Sequence, residues 1–234
     1  MTTTRFRGHP EALDALFRSL AADHRREIVR LVADRSETSV ADLAATLASA
    51  TQADQASDAE IHRRHTSLVH RDLPALTDVG LVAMTDEDAV VTAGDRLFDD
   101  RDVERVLDRR PADELDSVFE ALAHSRRRTI LAALRDRVEP VSVDTLARAV
   151  ATREADTEPD SVPDDDIDRV LASLSHVHLR LVNDAGLVAY DETDGRVAYE
   201  GHPLLRTEWF EAASNEIADG AIMDTTIGLS GTAR

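Results

Sequence analysis

The stretch Ile61–Val82 reads IHRRHTSLVHRDLPALTDVGLV, and Ile167–Val188 reads IDRVLASLSHVHLRLVNDAGLV. The second repeats the first without a gap. Ile61, Arg63, Ser67, Leu68, His70, Leu73, Asp78, Gly80, Leu81 and Val82 recur as Ile167, Arg169, Ser173, Leu174, His176, Leu179, Asp184, Gly186, Leu187 and Val188. A repeat of this kind means one structural unit used twice. In each copy a long helical pattern runs to a glycine suited to a helix stop, and an apolar strand start follows.

The match extends upstream. Pro10 fits a first helical position, and Leu13, Leu16, Phe17 and Leu20 follow at helical spacing. Asp23 can cap a second helix that buries Ile28, Val29, Leu31 and Val32 and ends near Asp34. Ser39, with Asp42 three residues on, opens a third helix with Val40, Leu43, Ala44 and Leu47 as its buried stripe. The second copy answers with Leu115, Val118, Phe119 and Leu122, then Ser125, then Arg127, Arg128, Ile130 and Leu134, then Ser142, Leu146 and Ala147.

A polar segment precedes each long helix, SATQADQASD in one copy and TREADTEPDSVPDD in the other. The first long helix is expected from Asp58 to about Val79, with Pro74 kinking it or marking its break. Hairpins are expected at Leu81–Thr85 with Ala89–Thr92, and at Leu187–Asp191 with Arg196–Glu200 around Asp194-Gly195.

The expected organisation is an arm over residues 1–9, a domain over 10–94, and a connecting helix and linker over 95–112. A second domain over 113–201, a helix over 202–219 carrying Trp209 and Phe210, and a tail over 220–234 complete it.

The chain has 234 residues, enough for two domains of roughly 100 residues, each with its own core. Aromatics make up only 3%, so the core is aliphatic. The net charge is −19, and every one of the 27 basic residues is arginine. An acidic balance argues against a nucleic-acid partner. However, abundant aspartate without lysine resembles the composition of halophile proteins that work in molar salt. Salt of that order removes most of the phosphate-attraction term, leaving arginine hydrogen bonds and shape.

Cysteine is absent, which excludes disulfides, thiolate metal sites and thiol chemistry. No apolar run has membrane-spanning length, and the N-terminus lacks a signal-peptide core, so a cytoplasmic protein without membrane contact is expected.

The segments Leu73–Val82 and Leu179–Val188, both ending Asp-x-Gly-Leu-Val, resemble the recognition-helix exit of ArsR- and MarR-type winged-helix regulators. Leu-Ala-x-x-x-Arg-Arg-x-Ile, at Leu20–Ile28 and Leu122–Ile130, resembles their dimer-side helices. The run His176-Val177-His178-Leu179, with Leu73-Pro74 in the other copy, resembles an uncharacterised haloarchaeal winged-helix domain. The resemblance implies a mainly α fold with small β-hairpin wings, two tandem winged helix-turn-helix domains and a C-terminal helix. It also implies a regulator that binds double-stranded DNA, either with its two units as a built-in pseudo-dimer or as a homodimer paired through the Asp95–Arg109 or C-terminal helix.

The candidate DNA contacts lie opposite the apolar stripe of the first long helix: Arg63, Arg64, Ser67, His70 and Arg71. Arginine bonds guanine or phosphate in bidentate fashion, and Ser and His reach base or backbone. A solvated face pairing with local acids is the competing explanation.

Arg25 and Arg26, like Arg126, Arg127 and Arg128, stand in the first turn of their helices. Cations there oppose the helix dipole, so a nearby acid or a DNA phosphate is expected to compensate. The second long helix offers Arg169, Ser173, His176 and Arg180 as secondary candidates, behind an acidic start at Asp164–Asp166. It is expected to lean toward assembly or a protein partner, as the C-terminal helix does in the alternative of an adaptor without DNA binding. His176, His178, His124 and His202 are expected to be structural rather than metal ligands. No cofactor and no catalytic constellation is expected, so the chain reads as a non-enzyme.

Overall fold

The computed structural model describes residues 10–35, 37–51, 56–85, 90–93, 112–202 and 205. Within them the chain is mainly helical, with two small three-stranded antiparallel sheets. It divides into two compact units: residues 15–119, called the first unit, and residues 1–14 with 120–234, called the second. The expected arm, the first wing's turn at 86–89, the connecting helix and linker over 95–111, the C-terminal helix beyond Leu205 and the tail lie outside the described residues.

The chain begins with α1 (Pro10–Leu20), α2 (Asp23–Arg35), β1 (Glu37–Ser39), α3 (Val40–Thr51), α4 (Asp58–Ser67), a π turn (Leu68–Asp72) and α5 (Leu73–Asp78). The hairpin β2 (Val82–Thr85) and β3 (Val90–Ala93) follows. The order then recurs as α6 (Ala112–Leu122), α7 (Ser125–Leu134), β4 (Val141–Ser142), α8 (Val143–Ala155), α9 (Asp164–Ser173), a π turn (Leu174–His178) and α10 (Leu179–Asp184). The hairpin β5 (Val188–Asp191) and β6 (Arg196–Tyr199) closes the second copy.

Local chemistry accounts for the boundaries. Ser39 Oγ accepts from the Asp42 backbone N–H at 3.0 Å and donates to Asp42 Oδ2 at 2.8 Å, heading α3. Ser142 Oγ accepts from the Thr145 N–H at 3.2 Å and heads α8 in the same way. Gly80 and Gly186 stand at φ +74° and +67°, where a side chain would be strained. Beyond them Leu81 N–H reaches Leu76 O at 2.9 Å, and Leu187 N–H reaches Val182 O at 3.0 Å. These bonds satisfy carbonyls that the helix end leaves open.

The long helix of each copy is not continuous. The buried residues Leu68, Leu73 and Leu76 are spaced five and then three apart, as are Leu174, Leu179 and Val182. An α-helix returns to one face after three or four residues. A spacing of five needs a wider turn, and the π turn supplies it through N–H bonds from Leu73 to Leu68 O and from Leu179 to Leu174 O. Pro74 therefore marks the break without causing it. It sits in the first turn of α5, and Arg180 holds the matching place beside an equivalent π turn.

The hairpins form close to the expected positions. A third strand in each sheet was not expected, because two or three residues carry too little pattern. β1 pairs with β3 through Thr38↔Val91, and β4 with β6 through Val141↔Val197.

Phe17, Leu20, Ile28, Val32, Leu43, Leu68, Leu73, Leu76, Leu81 and Phe119 form the first core. Leu122, Ile130, Leu134, Leu146, Val150, Leu174, Leu179, Val182 and Val197 form the second. Among the described residues, no helix is long and apolar enough to cross a membrane.

Candidate nucleic-acid interface

The polar centre of the first unit is Asp72, the last residue of its π turn. Its side chain is 3% exposed. Oδ1 lies 3.0 Å from His24 Nε2 and accepts from Arg25 Nε at 3.2 Å and Arg71 Nε at 3.1 Å. Oδ2 accepts from Ser67 Oγ at 2.8 Å. Burial alone would raise the carboxyl's pKa. The hydrogen bonds from His24, Arg71, Ser67 and Arg25 outweigh it and hold the group well below the ordinary carboxylate range. One carboxylate thus ties the start of α2 to the π turn and fixes the directions of Ser67 and Arg71.

Around this anchor lies an exposed face that bears cations. His62, Arg63, His65, His70 and Arg71 are exposed, with Thr66 and Val69 between them. No acid occurs between Glu60 and Asp72 in the sequence. The Arg63 side chain is 69% exposed and that of Arg71 is 63%. Arg64, more covered, bonds Glu60 Oε1 through Nε at 3.1 Å, and Arg63 bonds Glu60 Oε2. The Arg63 hydrogen bond, with the charges of both arginines, holds the Glu60 carboxyl below its usual value despite the opposing effect of burial. Ser67 is half-buried and occupied on Asp72, so it acts behind the face rather than on it. Five N–H donors per guanidinium leave Arg63 and Arg71 further bonds to make outward.

Arg25 is mostly covered, at 17%, and Asp72 holds it. Arg26, Arg127 and Arg128 do not fit the expected phosphate contact, because they are buried. The compensation for cations at a helix start is internal, and it comes from the helix before. Arg26 Nη1 donates to Leu20 O, the last carbonyl of α1, at 2.7 Å. Arg128 Nη1 donates to Leu122 O, the last of α6, also at 2.7 Å, and Arg127 donates to the carbonyls of Glu120 and Ala121. A cation at a helix C-terminus is favourable, and these bonds satisfy open carbonyls. Acids complete the arrangement: Asp14 Oδ1 accepts from Arg128 Nη1 at 2.6 Å in the second unit. In the first, Arg26 Nη2 lies 2.6 Å from Asp116 Oδ1 as an ion pair outside hydrogen-bond alignment.

The second unit carries a different face on the matching helix. His62, Arg64, His65, Thr66 and Arg71 give way to Asp168, Val170, Leu171, Ala172 and Val177. Val177 is 49% exposed and Leu181 36%. Arg169 bonds Asp166, and Arg180 bonds both carboxylate oxygens of Glu192 in the β5–β6 turn, at 2.8 and 3.2 Å. His176 is exposed. Ser173 accepts from Arg126 Nη1 at 3.1 Å, and Glu154 holds the rest of that guanidinium.

The residue matching Asp72 is His178, which is buried, with Nδ1 lacking a hydrogen-bond partner. Its ring meets that of His124 edge-on at 4.6 Å. Burial first, then the charges of His124, Arg127 and Arg126, push its pKa down to about 4. His124 is itself the cap of α7, accepting the Arg126 N–H on Nδ1 at 3.1 Å. Among the described residues, no three His, Cys, Asp or Glu side chains gather as a metal site.

Two site features escaped the sequence analysis. Asp72 had a legible signal: it is the one acid between Leu68 and Leu76, four residues from each. His62 and His65 enlarge the exposed face and follow from helical spacing alone.

Neither curated proteins nor solved structures yield a match to the chain. A family model described as Domain of unknown function (DUF7344) matches twice, over residues 17–92 and 119–198, the two copies seen in the repeat. The chain belongs to this DUF7344 family and carries its domain in tandem.

Proposed function

We propose that the chain is a tandem winged helix-turn-helix DNA-binding regulator whose first unit reads double-stranded DNA. One observation carries the proposal: the exposed face of α4 and its π turn, with His62, Arg63, His65, His70 and Arg71, is free of exposed acids from 61 to 72 in a chain with 46 acids. A face that was only solvated would share the acidity of the rest. Asp72 preorganises Arg71, so less rotamer freedom is lost when DNA binds. The helix order, with a hairpin after each long helix, is the arrangement expected of winged helices.

The test is selection of bound genomic fragments in about 1–2 M potassium chloride, where the Debye length is about 3 Å or less. Wild-type protein is expected to recover a shared motif, and Arg63→Ala/Arg71→Ala to lose it while remaining folded. Recovery of no motif by folded wild-type protein overturns the proposal.

The exposed Val177 and Leu181 favour a second reading, in which the second unit docks a protein partner. Retention of a stable partner by wild-type protein, abolished in Val177→Asp/Leu181→Asp, distinguishes that role.

A further inference from the structure

The second unit holds a groove of about 630 Å³ along the outer side of α8. Arg137, Arg148 and Arg153 line it, with Asp144 at the start of α8 and Asp156 at its end. Nearly every other described arginine is occupied by an acid, a carbonyl or a hydroxyl. Arg18 and these three make no ion pair or side-chain hydrogen bond among the described residues. Three of four such guanidiniums therefore share one concavity, in a chain where acids outnumber bases by 46 to 27. Thr152 Oγ1, also in the groove wall, is buried without a hydrogen-bond partner.

The other copy provides an internal control. With Ser142 aligned on Ser39, Arg148 and Arg153 stand where α3 carries Ala45 and Ala50. The fold of this helix does not require cations there. Alanine and arginine are both good helix formers, so propensity does not explain the difference.

We propose that this groove binds phosphate oxyanions. Guanidinium forks match phosphate geometry in bidentate fashion, and three of them outnumber the two aspartates at the ends. The volume lies within the range of small-molecule sites, so the phosphate belongs either to a phosphorylated small ligand or to a nucleic-acid backbone. The groove lies in the second unit, so its role stands apart from DNA reading by α4.

The experiment titrates full-length protein with sodium tripolyphosphate and, separately, with a random-sequence DNA duplex. Titrations are done at the lowest potassium chloride concentration that keeps the circular dichroism native. Arg148→Ala/Arg153→Ala restores the alanines of α3, so it is expected to fold with an unchanged thermal midpoint. It is expected to bind about a hundredfold more weakly, about tenfold for each guanidinium removed from the phosphate. Weakening confined to tripolyphosphate assigns a small ligand, and weakening that extends to the duplex assigns a polynucleotide backbone. Arg63→Ala/Arg71→Ala is expected to leave tripolyphosphate binding unchanged, which separates this proposal from DNA reading. Wild-type affinity in the α8 variant overturns the proposal, as does equal competition by polyaspartate at matched charge.

Discussion

Asp72 and His178 occupy one position of the repeat and solve it with opposite chemistry. Asp72 is an anion with donors from three elements, so its removal leaves Arg25 and Ser67 with unmet bonds. Asp72→Asn is expected to destabilise the first unit by about 1–3 kcal/mol, measured by urea unfolding, the partial exposure of Arg71 limiting the effect. Because its folded pKa is depressed, its contribution is complete above the unfolded value of 3.8 and is lost as pH falls below that toward the folded value. In the asparagine variant the acid limb of the stability curve is expected to flatten.

His178 has no anion to receive, and burial keeps it neutral. Its folded value of about 4 lies below the ordinary 6.5, so the unfolded chain binds the extra proton first between those limits. Stability of the second unit is expected to fall by on the order of 3 kcal/mol from about pH 7 to about pH 4. His178→Phe is expected to remove most of that fall. An unchanged slope in denaturation series across this range would show that the imidazole is not its source.

At the level of elements, the π turn is the feature that makes the two long helices alike. Its cause is a five-residue spacing of buried leucines, present with Pro74 in one copy and Arg180 in the other. Pro74→Ala is expected to change the thermal midpoint little, since Arg180 holds the matching place beside an equivalent π turn without a proline. Deleting Val69 brings Leu68 and Leu73 to a spacing of four, so an ordinary α turn keeps both on the core face and the π turn is no longer needed. That deletion is expected to keep a cooperative transition of the first unit in thermal melting, and loss of the transition would refute the account. The same elements account for the buried arginines, whose first-turn charge is met by acids and carbonyls rather than by phosphate. Arg26 and Arg128 look like exposed first-turn cations in sequence. The carbonyls they bond belong to the preceding helix, six residues upstream.

Across the whole molecule, a charge of −19 makes self-repulsion the dominant long-range term. Potassium chloride screens it, so the thermal midpoint is expected to rise from about 0.1 M to about 1 M salt as the Debye length falls from about 10 Å to about 3 Å. A midpoint that stays level in a calorimetric series would show that the acidic surface is already balanced by local pairs. Among the described residues, cations are unevenly distributed over this acidic background: one face on α4, one groove on α8. The two copies share the Ser39 and Ser142 caps, the glycine stops and the leucine spacing, and differ at the buried position of Asp72 and His178 and in side chains that point outward.

The sequence by itself determined the tandem repeat, the helix starts at Ser39 and Ser142, the glycine stops, both hairpins and the apolar stripes. Each of these depends on neighbours within a few residues, so local pattern was enough. It also placed Arg63, His70 and Arg71 on the polar face, because the leucine stripe defines the opposite one. Tertiary structure alone decided the fate of Arg26, Arg127 and Arg128, the gathering of His24, Arg25 and Arg71 on Asp72, and the arginine-lined groove along α8. In each case the surroundings of the side chain come from chain packed in three dimensions, and periodicity carries no information about that.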